Sequence, residues 1–420
     1  MWHRRQHGAF PAKDQPLTKT TVMPSVTPPT LRFADLNIKP HETFATYRPS
    51  LPFVRREDGA YLVLRASDVQ ALAKDPRTKQ VETQLLAARG ISGGPIMDLF
   101  SNSMLFSNDE THRRRRQPLA KCFSFRMMEG IRRDVRLLAE DLATRRLDGD
   151  KLRLRDDYAS AIPSITLAGI LGIDSSDVPL FTSIAYRVSK ILTTSWTDED
   201  VPSIEVAARE LEAYCSDLIA DRRRSPKDDF ISEYVASVDQ DANLSAIEAI
   251  MQLVSIVIGG TDTTRAAIVI QTGLLLERAD LWEALRKDEN LIVPAVAEAL
   301  RVEPAVASIP RLVVRDIELD QHFIASGSVL LLSTMSALRD PEAFPDPERF
   351  DLYRERPRWH PVYGDGPHRC LGQALAQLEL EEALRALVGS RHRLLPTGQQ
   401  LNVHGHAGIR QVDELEARWT

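Results

Sequence analysis

A mainly helical chain with a minor β part is the fold class this sequence predicts, on three observations. From His112 onward, most segments carry apolar residues at helical spacing. One of them, Ala246 to Arg278, is the longest apolar stretch and must run through the core. Only after Pro304 does the pattern turn to short β-rich runs, Leu312 to Arg315, Ile317 to Leu319 and Val329 to Ser333.

The elements follow in order. Residues 1–30 read as a flexible tail, with Pro11, Pro16, Pro24, Pro28 and Pro29 and no apolar periodicity. Residues 31–420 read as one domain: length alone suggests two or three, but no linker and no internal repeat divides the chain. Tyr61 to Leu64 predicts a strand, Ser67-Asp68 an N-cap, and Val69 to Ala73 the helix behind it. Gly90 to Pro95 is a breaker cluster whose glycines suit a mobile lid. Ser107-Asn-Asp109 starts a helix carrying His112 and Arg116 on one face, which Pro118 should distort or end. Turns are predicted at Leu147 to Asp150, Gly172 to Pro179 and Ser225 to Asp228, and the charge-flanked helix Ser203 to Arg224 should face mostly solvent. Gln373 to Leu387 is the last long helical segment.

Charge and cysteine usage exclude several function classes. A net charge of −6 gives no case for nucleic acid, and the four arginines Arg113 to Arg116 lie inside a predicted helix rather than in a basic tail. Three scattered cysteines, Cys122, Cys215 and Cys370, make neither a disulfide framework nor a zinc cluster and suit a reducing cytoplasm. The first 29 residues hold no apolar run fit for a signal sequence or membrane span, so no membrane association is expected.

Chemistry concentrates around Cys370, in Tyr363-Gly-Asp-Gly-Pro-His-Arg-Cys-Leu-Gly372. Gly364, Gly366 and Gly372 lack a Cβ, which lets backbone turn tightly and approach a flat ligand. The helix that follows aims NH groups and positive dipole at Cys370, favouring the thiolate, a soft donor suited to iron. A second polar constellation, Gly259-Gly-Thr-Asp-Thr-Thr264, interrupts the long apolar helix. Two glycines in a helix interior cost roughly 1 kcal/mol each against alanine, which suggests a cofactor or gas molecule lying against the backbone. The Thr263 hydroxyl can bond the Gly259 carbonyl, four residues back. Arg265, about 200° round the helix from Thr263, should point away and hold a structural salt bridge. Glu298 and Arg301 place opposite charges at i and i+3.

Together these motifs resemble the cytochrome P450 family. The cysteine segment matches five of the six specified positions of Phe-Gly-x-Gly-x-His-x-Cys-x-Gly, departing at Tyr363, whose phenol near the sulfur would tune the iron's potential. Gly259 to Thr264 matches the family's dioxygen-activation motif throughout, and Glu298-x-x-Arg301 its Glu-x-x-Arg, with Arg349 or its neighbours as third partner. The resemblance spans Leu31 to Trp419. It implies a triangular, mostly helical core with small sheets around haem b, with Cys370 as the axial iron ligand. Tyr363, Gly364 and Gly260 would lie against the haem, and His112, Arg116, Arg311, His360 and His368 would serve its propionates. Thr263 would hydrogen-bond the dioxygen or a nearby water, and Asp262 would relay protons.

Much of the pocket lining implied in this way is apolar: Ile96, Met97, Leu99, Phe100, Ile256, Val306 and Ile309, with the turn near His406. The expected protein is therefore a cytoplasmic, monomeric monooxygenase that hydroxylates or epoxidises a hydrophobic small molecule. Its electrons would come from a separate ferredoxin and ferredoxin reductase, steered by a basic patch of Arg113, Arg114, Arg115 and Arg369 on the cysteine side. A peroxide-driven haem oxygenase and a non-catalytic haem-binding sensor or carrier are the alternatives.

Overall fold

The computed structural model describes residues 27–123, 125–145, 151–193, 196–241, 243–355 and 360–420. All but the last four residues of the assigned tail, and the whole predicted turn at 147–150, lie outside them. The chain begins β1 (Thr30–Leu31), α1 (Phe33–Ile38), α2 (Pro40–Tyr47), β2 (Phe53–Arg56), β3 (Tyr61–Val63), α3 (Ala66–Lys74) and β4 (Thr78–Lys79). A helical run follows: α4 (Gln84–Ala88), α5 (Pro95–Asn102), α6 (Asp109–Cys122) and α7 (Phe125–Thr144), then the short β5 (Leu152–Arg153) and α8 (Ala161–Ile170). It continues through α9 (Val178–Ser189), α10 (Val201–Arg224), α11 (Phe230–Asp241), α12 (Ala246–Leu276), α13 (Ala279–Lys287) and α14 (Ile292–Val302). The remainder is β6 (Ser308–Val313), β7 (Ile317–Leu319), β8 (His322–Ile324), β9 (Val329–Ser333), α15 (Thr334–Ala337), α16 (Gln373–Gly389), β10 (Leu394–Pro396), β11 (Val403–His404), β12 (Gln411–Val412) and β13 (Glu416–Trp419).

α12 organises the helical part. A capping box starts it: Ser245 Oγ accepts from Glu248 N at 3.3 Å while Glu248 Oε2 accepts from Ser245 N at 3.0 Å. Its first half belongs to one apolar core, with α5, α8, α9, α10 and α11; its second half belongs to another, with α7, α14, α16 and the C-terminal strands. Gly259 to Arg265 falls where the two cores meet, so its polar residues interrupt neither. Among the described residues α12 is the one helix long and apolar enough to cross a bilayer, yet 78% of its most apolar window is buried by protein.

The main sheet runs β1-β2-β3-β9-β6-β4, with β9 parallel to β3 (Leu62 opposite Leu331) and antiparallel to β6 (Arg311 opposite Leu330). β6 starts earlier than its β-rich run suggested and carries Arg311 inside the strand. Pro310 is tolerated because β4 pairs only with Leu312 and Val313, leaving β6 an edge on that side.

Three local expectations are corrected. α3 begins at Ala66, ahead of the predicted Ser67-Asp68 cap, because Asp340 Oδ2 accepts from Ala66 N at 2.8 Å across the fold. α6 runs through Pro118 to Cys122, since burial of Pro118, Leu119 and Cys122 offsets the missing hydrogen bond. α10 is more than a solvent-facing helix: it buries a stripe of Ile204, Ala207, Ala208, Leu211, Cys215 and Ile219.

Candidate active site

The cysteine loop is bent by two residues that need to be glycine. Gly364 and Gly366 both have φ of 68°, where side chains are strained; a Cβ on Gly366 would also stand 3.1 Å from Ala73 O. Gly372 needs no such freedom and serves as N-cap of α16. Cys370 N donates to Tyr363 O at 2.9 Å, closing the loop. Asp365 anchors it, accepting from Gly366 N at 2.8 Å and pairing with Lys74 at 2.7 Å. Cys370 is exposed as a residue; desolvation by the packing around its sulfur raises the thiol pKa above its ordinary value, while the Gly372 amide, Arg116 and Arg369 pull the other way. The Tyr363 hydroxyl donates to Gln377 Oε1 at 3.0 Å, and burial first, then Cys370, pushes its pKa up.

Four basic side chains gather beside this loop. The His112 and His368 rings lie 4.0 Å apart, and Arg116 Nη2 donates to Arg369 O at 2.7 Å. Arg311, 3% exposed, donates to Gln80 Oε1 at 2.6 Å and Pro310 O at 3.0 Å. Burial, reinforced by the neighbouring cations, lowers His112 to about 4 and His368 to about 3; burial alone lowers Arg311 to about 10. Among the described residues no carboxylate acts on any of these three. His112 Nε2 is buried without a hydrogen-bond partner among the described residues. Two desolvated arginines beside two imidazoles that are neutral at neutral pH suit an anionic group, and the two carboxylates of a haem meet that need. Gln80, which orients Arg311, carries no sequence signal.

His360 is corrected: it stands apart from this cluster. Its Nε2 lies 3.4 Å from Ala297 O and its Nδ1 accepts from Val362 N at 3.4 Å, so both ring nitrogens are engaged within the α14 and cysteine-loop framework. Gly260 is corrected too, because its missing Cβ faces α8, where it would stand 3.0 Å from Leu167 Cδ1. One residue back and about 100° round the helix, a Cβ on Gly259 would meet nothing within 4 Å.

On α12, Thr263 Oγ1 donates to Gly259 O at 2.9 Å, as the spacing predicts. Arg265 donates to Asp262 Oδ1, so its salt-bridge partner is the candidate acid itself. Glu298 and Arg301 are buried in a network: Arg301 donates to both Glu298 oxygens at 2.8 Å, to Leu338 O at 3.0 Å, to Pro347 O at 2.7 Å and to Arg349 O at 2.9 Å. The third side chain is Arg354, 3.1 Å from Glu298 Oε1; Arg349 contributes only its carbonyl.

The supposed basic patch shrinks. Arg114 and Arg115 both clamp Glu248, at 2.5 and 3.0 Å, tying α6 to the start of α12, and Arg113 pairs with Glu110. Of the implied lining, Ile96 and Leu99 are fully buried in the core, while Ile309 sits beside Gly364, 3.4 Å from where its Cβ would be. His406 turns to Asn37, with Nδ1 2.7 Å from its Oδ1, and stacks on Phe33.

The family model for cytochrome P450 matches residues 98–402. The plant-inducible cytochrome P450-pinF1 of Rhizobium radiobacter is 43% identical over 402 residues, covering 96% of this chain and 95% of the relative. The 6-deoxyerythronolide B hydroxylase of Saccharopolyspora erythraea is 30% identical over 377 residues, covering 86% and 91%. Among solved structures, cytochrome P450 PksS of the Bacillus subtilis bacillaene synthase superposes with a TM-score of 0.81 at 27% identity, covering 92% of this chain and 98% of that one.

Proposed function

Because the chain belongs to the cytochrome P450 family, we propose that this monooxygenase hydroxylates or epoxidises a hydrophobic small molecule, with electrons from a separate ferredoxin and its reductase. P450 enzymes carry haem b through a cysteine thiolate. Bound haem supplies dioxygen reduction, so that one oxygen atom enters the substrate and the other leaves as water. Cys370 is the proposed iron ligand, presented by a loop fastened to α3 through Lys74 and Asp365. His112, Arg116, Arg311 and His368 hold the propionates. The basic cluster beside Cys370, on whose His112, Arg311 and His368 no carboxylate acts among the described residues, is the observation that carries this assignment.

Thr263 spends its own hydroxyl proton on Gly259 O, leaving its oxygen to accept a hydrogen bond from the pocket side. Asp262 Oδ1 is taken by Arg265, so Oδ2 is the atom that exchanges protons with solvent. The electron donor docks on the cysteine side, where Arg113, paired with Glu110, and Arg369, bonded to Gln373, are the exposed arginines. The protein acts as a cytoplasmic monomer, residues 31–420 forming one catalytic domain.

Reduction under carbon monoxide should give the red-shifted Soret band of thiolate ligation, and Cys370→Ala should abolish it. Retention of that band by the variant would remove the central assignment. A ligand screen by spin-state shift, followed by NADH consumption and product formation with a surrogate ferredoxin, tests the monooxygenase reaction on the substrate found.

A further inference from the structure

α9 touches the Gly259 to Arg265 stretch of α12 at two points one helical turn apart. Ser189 Oγ lies 3.1 Å from Thr261 Oγ1, and Thr261 Oγ1 donates to Val257 O at 3.0 Å. One turn earlier, the Tyr186 ring carries the Arg265 guanidinium 4.1 Å from its centroid, and the Tyr186 hydroxyl donates to Ser160 O at 2.8 Å. Arg265 donates in turn to Asp262 Oδ1. Asp262 is 7% exposed. A nearly buried carboxylate is thus held by an arginine one turn on, and that arginine is held by a ring from another helix.

We infer that Arg265 and Tyr186 are positioning residues that fix Asp262 for proton supply. This rests on the role proposed above for Asp262. Alone, an aspartate on a helix has several staggered rotamers and is free to swing to water. Arg265 removes that freedom, and the cation–π contact with Tyr186, whose hydroxyl is itself tied down, keeps Arg265 from following solvent. Timing of protons decides the product. With substrate RH, the coupled reaction is RH + O2 + 2 e⁻ + 2 H⁺ → ROH + H2O. The uncoupled one is O2 + 2 e⁻ + 2 H⁺ → H2O2, with the electrons in both coming from the external donor. A wandering Asp262 diverts electrons from the first to the second.

The test uses the haem-loaded full chain with Arg265→Ala, Arg265→Lys, Tyr186→Leu and Asp262→Asn. The partition of NADH electrons between product and hydrogen peroxide is measured, together with the solvent isotope effect on turnover. Arg265→Ala and Tyr186→Leu should each lower coupling about fivefold, equivalent to about 1 kcal/mol. Both should raise the isotope effect, and Arg265→Lys should recover part of the loss. Peroxide supplied directly brings oxygen and protons together, so peroxide-driven product formation should fall much less than the dioxygen-driven rate. Thermal unfolding gives a readout free of turnover: the losses from Arg265→Ala and Asp262→Asn should be non-additive. Should Arg265→Ala fail to fold, Arg265→Lys and Tyr186→Leu carry the same measurements. If Asp262→Asn uncouples while the Arg265 and Tyr186 variants couple like the parent, the positioning role is wrong and the role of Asp262 stands. If Asp262→Asn also couples like the parent, the role of Asp262 fails and the inference with it.

Discussion

Replacing Arg311 with methionine should loosen the protein's hold on haem far more than it weakens the fold. Burial alone takes the Arg311 guanidinium from 12.5 to about 10, and no carboxylate among the described residues compensates. That difference corresponds to about 3 kcal/mol against the charged form. Below about 10, arginine is charged in the folded and unfolded chain alike, so the full penalty is present at neutral pH. It disappears only as pH rises from about 10 to 12.5. A propionate set against Arg311 cancels the penalty, so the contact is worth a similar amount to haem retention, and methionine keeps the apolar volume while forfeiting the charge. The variant should transfer haem to an excess of apomyoglobin about 100-fold faster than the parent, the equivalent of about 3 kcal/mol. In cofactor-stripped protein the same substitution loses only the bonds to Gln80 and Pro310, roughly 1 kcal/mol each, and gains relief from the buried charge. Equal haem transfer rates for parent and variant, or a stripped variant that melts far below the stripped parent, would refute the electrostatic argument.

Arg301→Lys should cost about 3–5 kcal/mol in urea unfolding and leave much of the protein without haem, because a point charge cannot serve Glu298 and three carbonyls at once. Full haem content in that variant would contradict this. Glu248 is held down to about 2, chiefly by its bond to Arg114. Its stabilisation is therefore complete above 4.5 and drains away as pH falls towards 2, on the order of 3 kcal/mol at most; Glu248→Gln should flatten acid unfolding over that window. Glu379 behaves oppositely, since burial raises it to about 8 and it stays protonated in the fold. Stability should fall by roughly 1 kcal/mol per pH unit between 4.5 and 8, and melting curves of Glu379→Gln should lack that slope.

What could be read from the sequence was what local spacing determines. α12 and α16 declared themselves through helical period, the cysteine loop through its glycines, and the Thr263 bond to Gly259 through a four-residue step. What stayed hidden depends on partners distant in sequence. His360 and His368 look equally placed beside Cys370, but only the fold decides that one faces Ala297 and the other His112. Gly259 and Gly260 are adjacent, and only the position of Leu167 on α8 tells them apart. The cap of α3 comes from Asp340, and the arginines of α6 meet Glu248, neither of which composition reveals. β8 was missed because its hairpin turn is Asp320-Gln321, with φ of 47° and 66° and no glycine to announce it.

The strand order of the main sheet has a consequence for how the chain comes into being. β3 lies in its final place only when Leu62 has Leu331 beside it, and β5 only when Leu152 has Ala417. A ribosome releases the N-terminal strands long before their partners exist, so β2 and β3 must wait as an open-edged hairpin until more than half the polypeptide has followed. Closure of the sheet is thus a late event in biogenesis. Before β9 is synthesised, a nascent chain should expose the unpaired edge of β3 to chaperones or to other unfinished copies of itself.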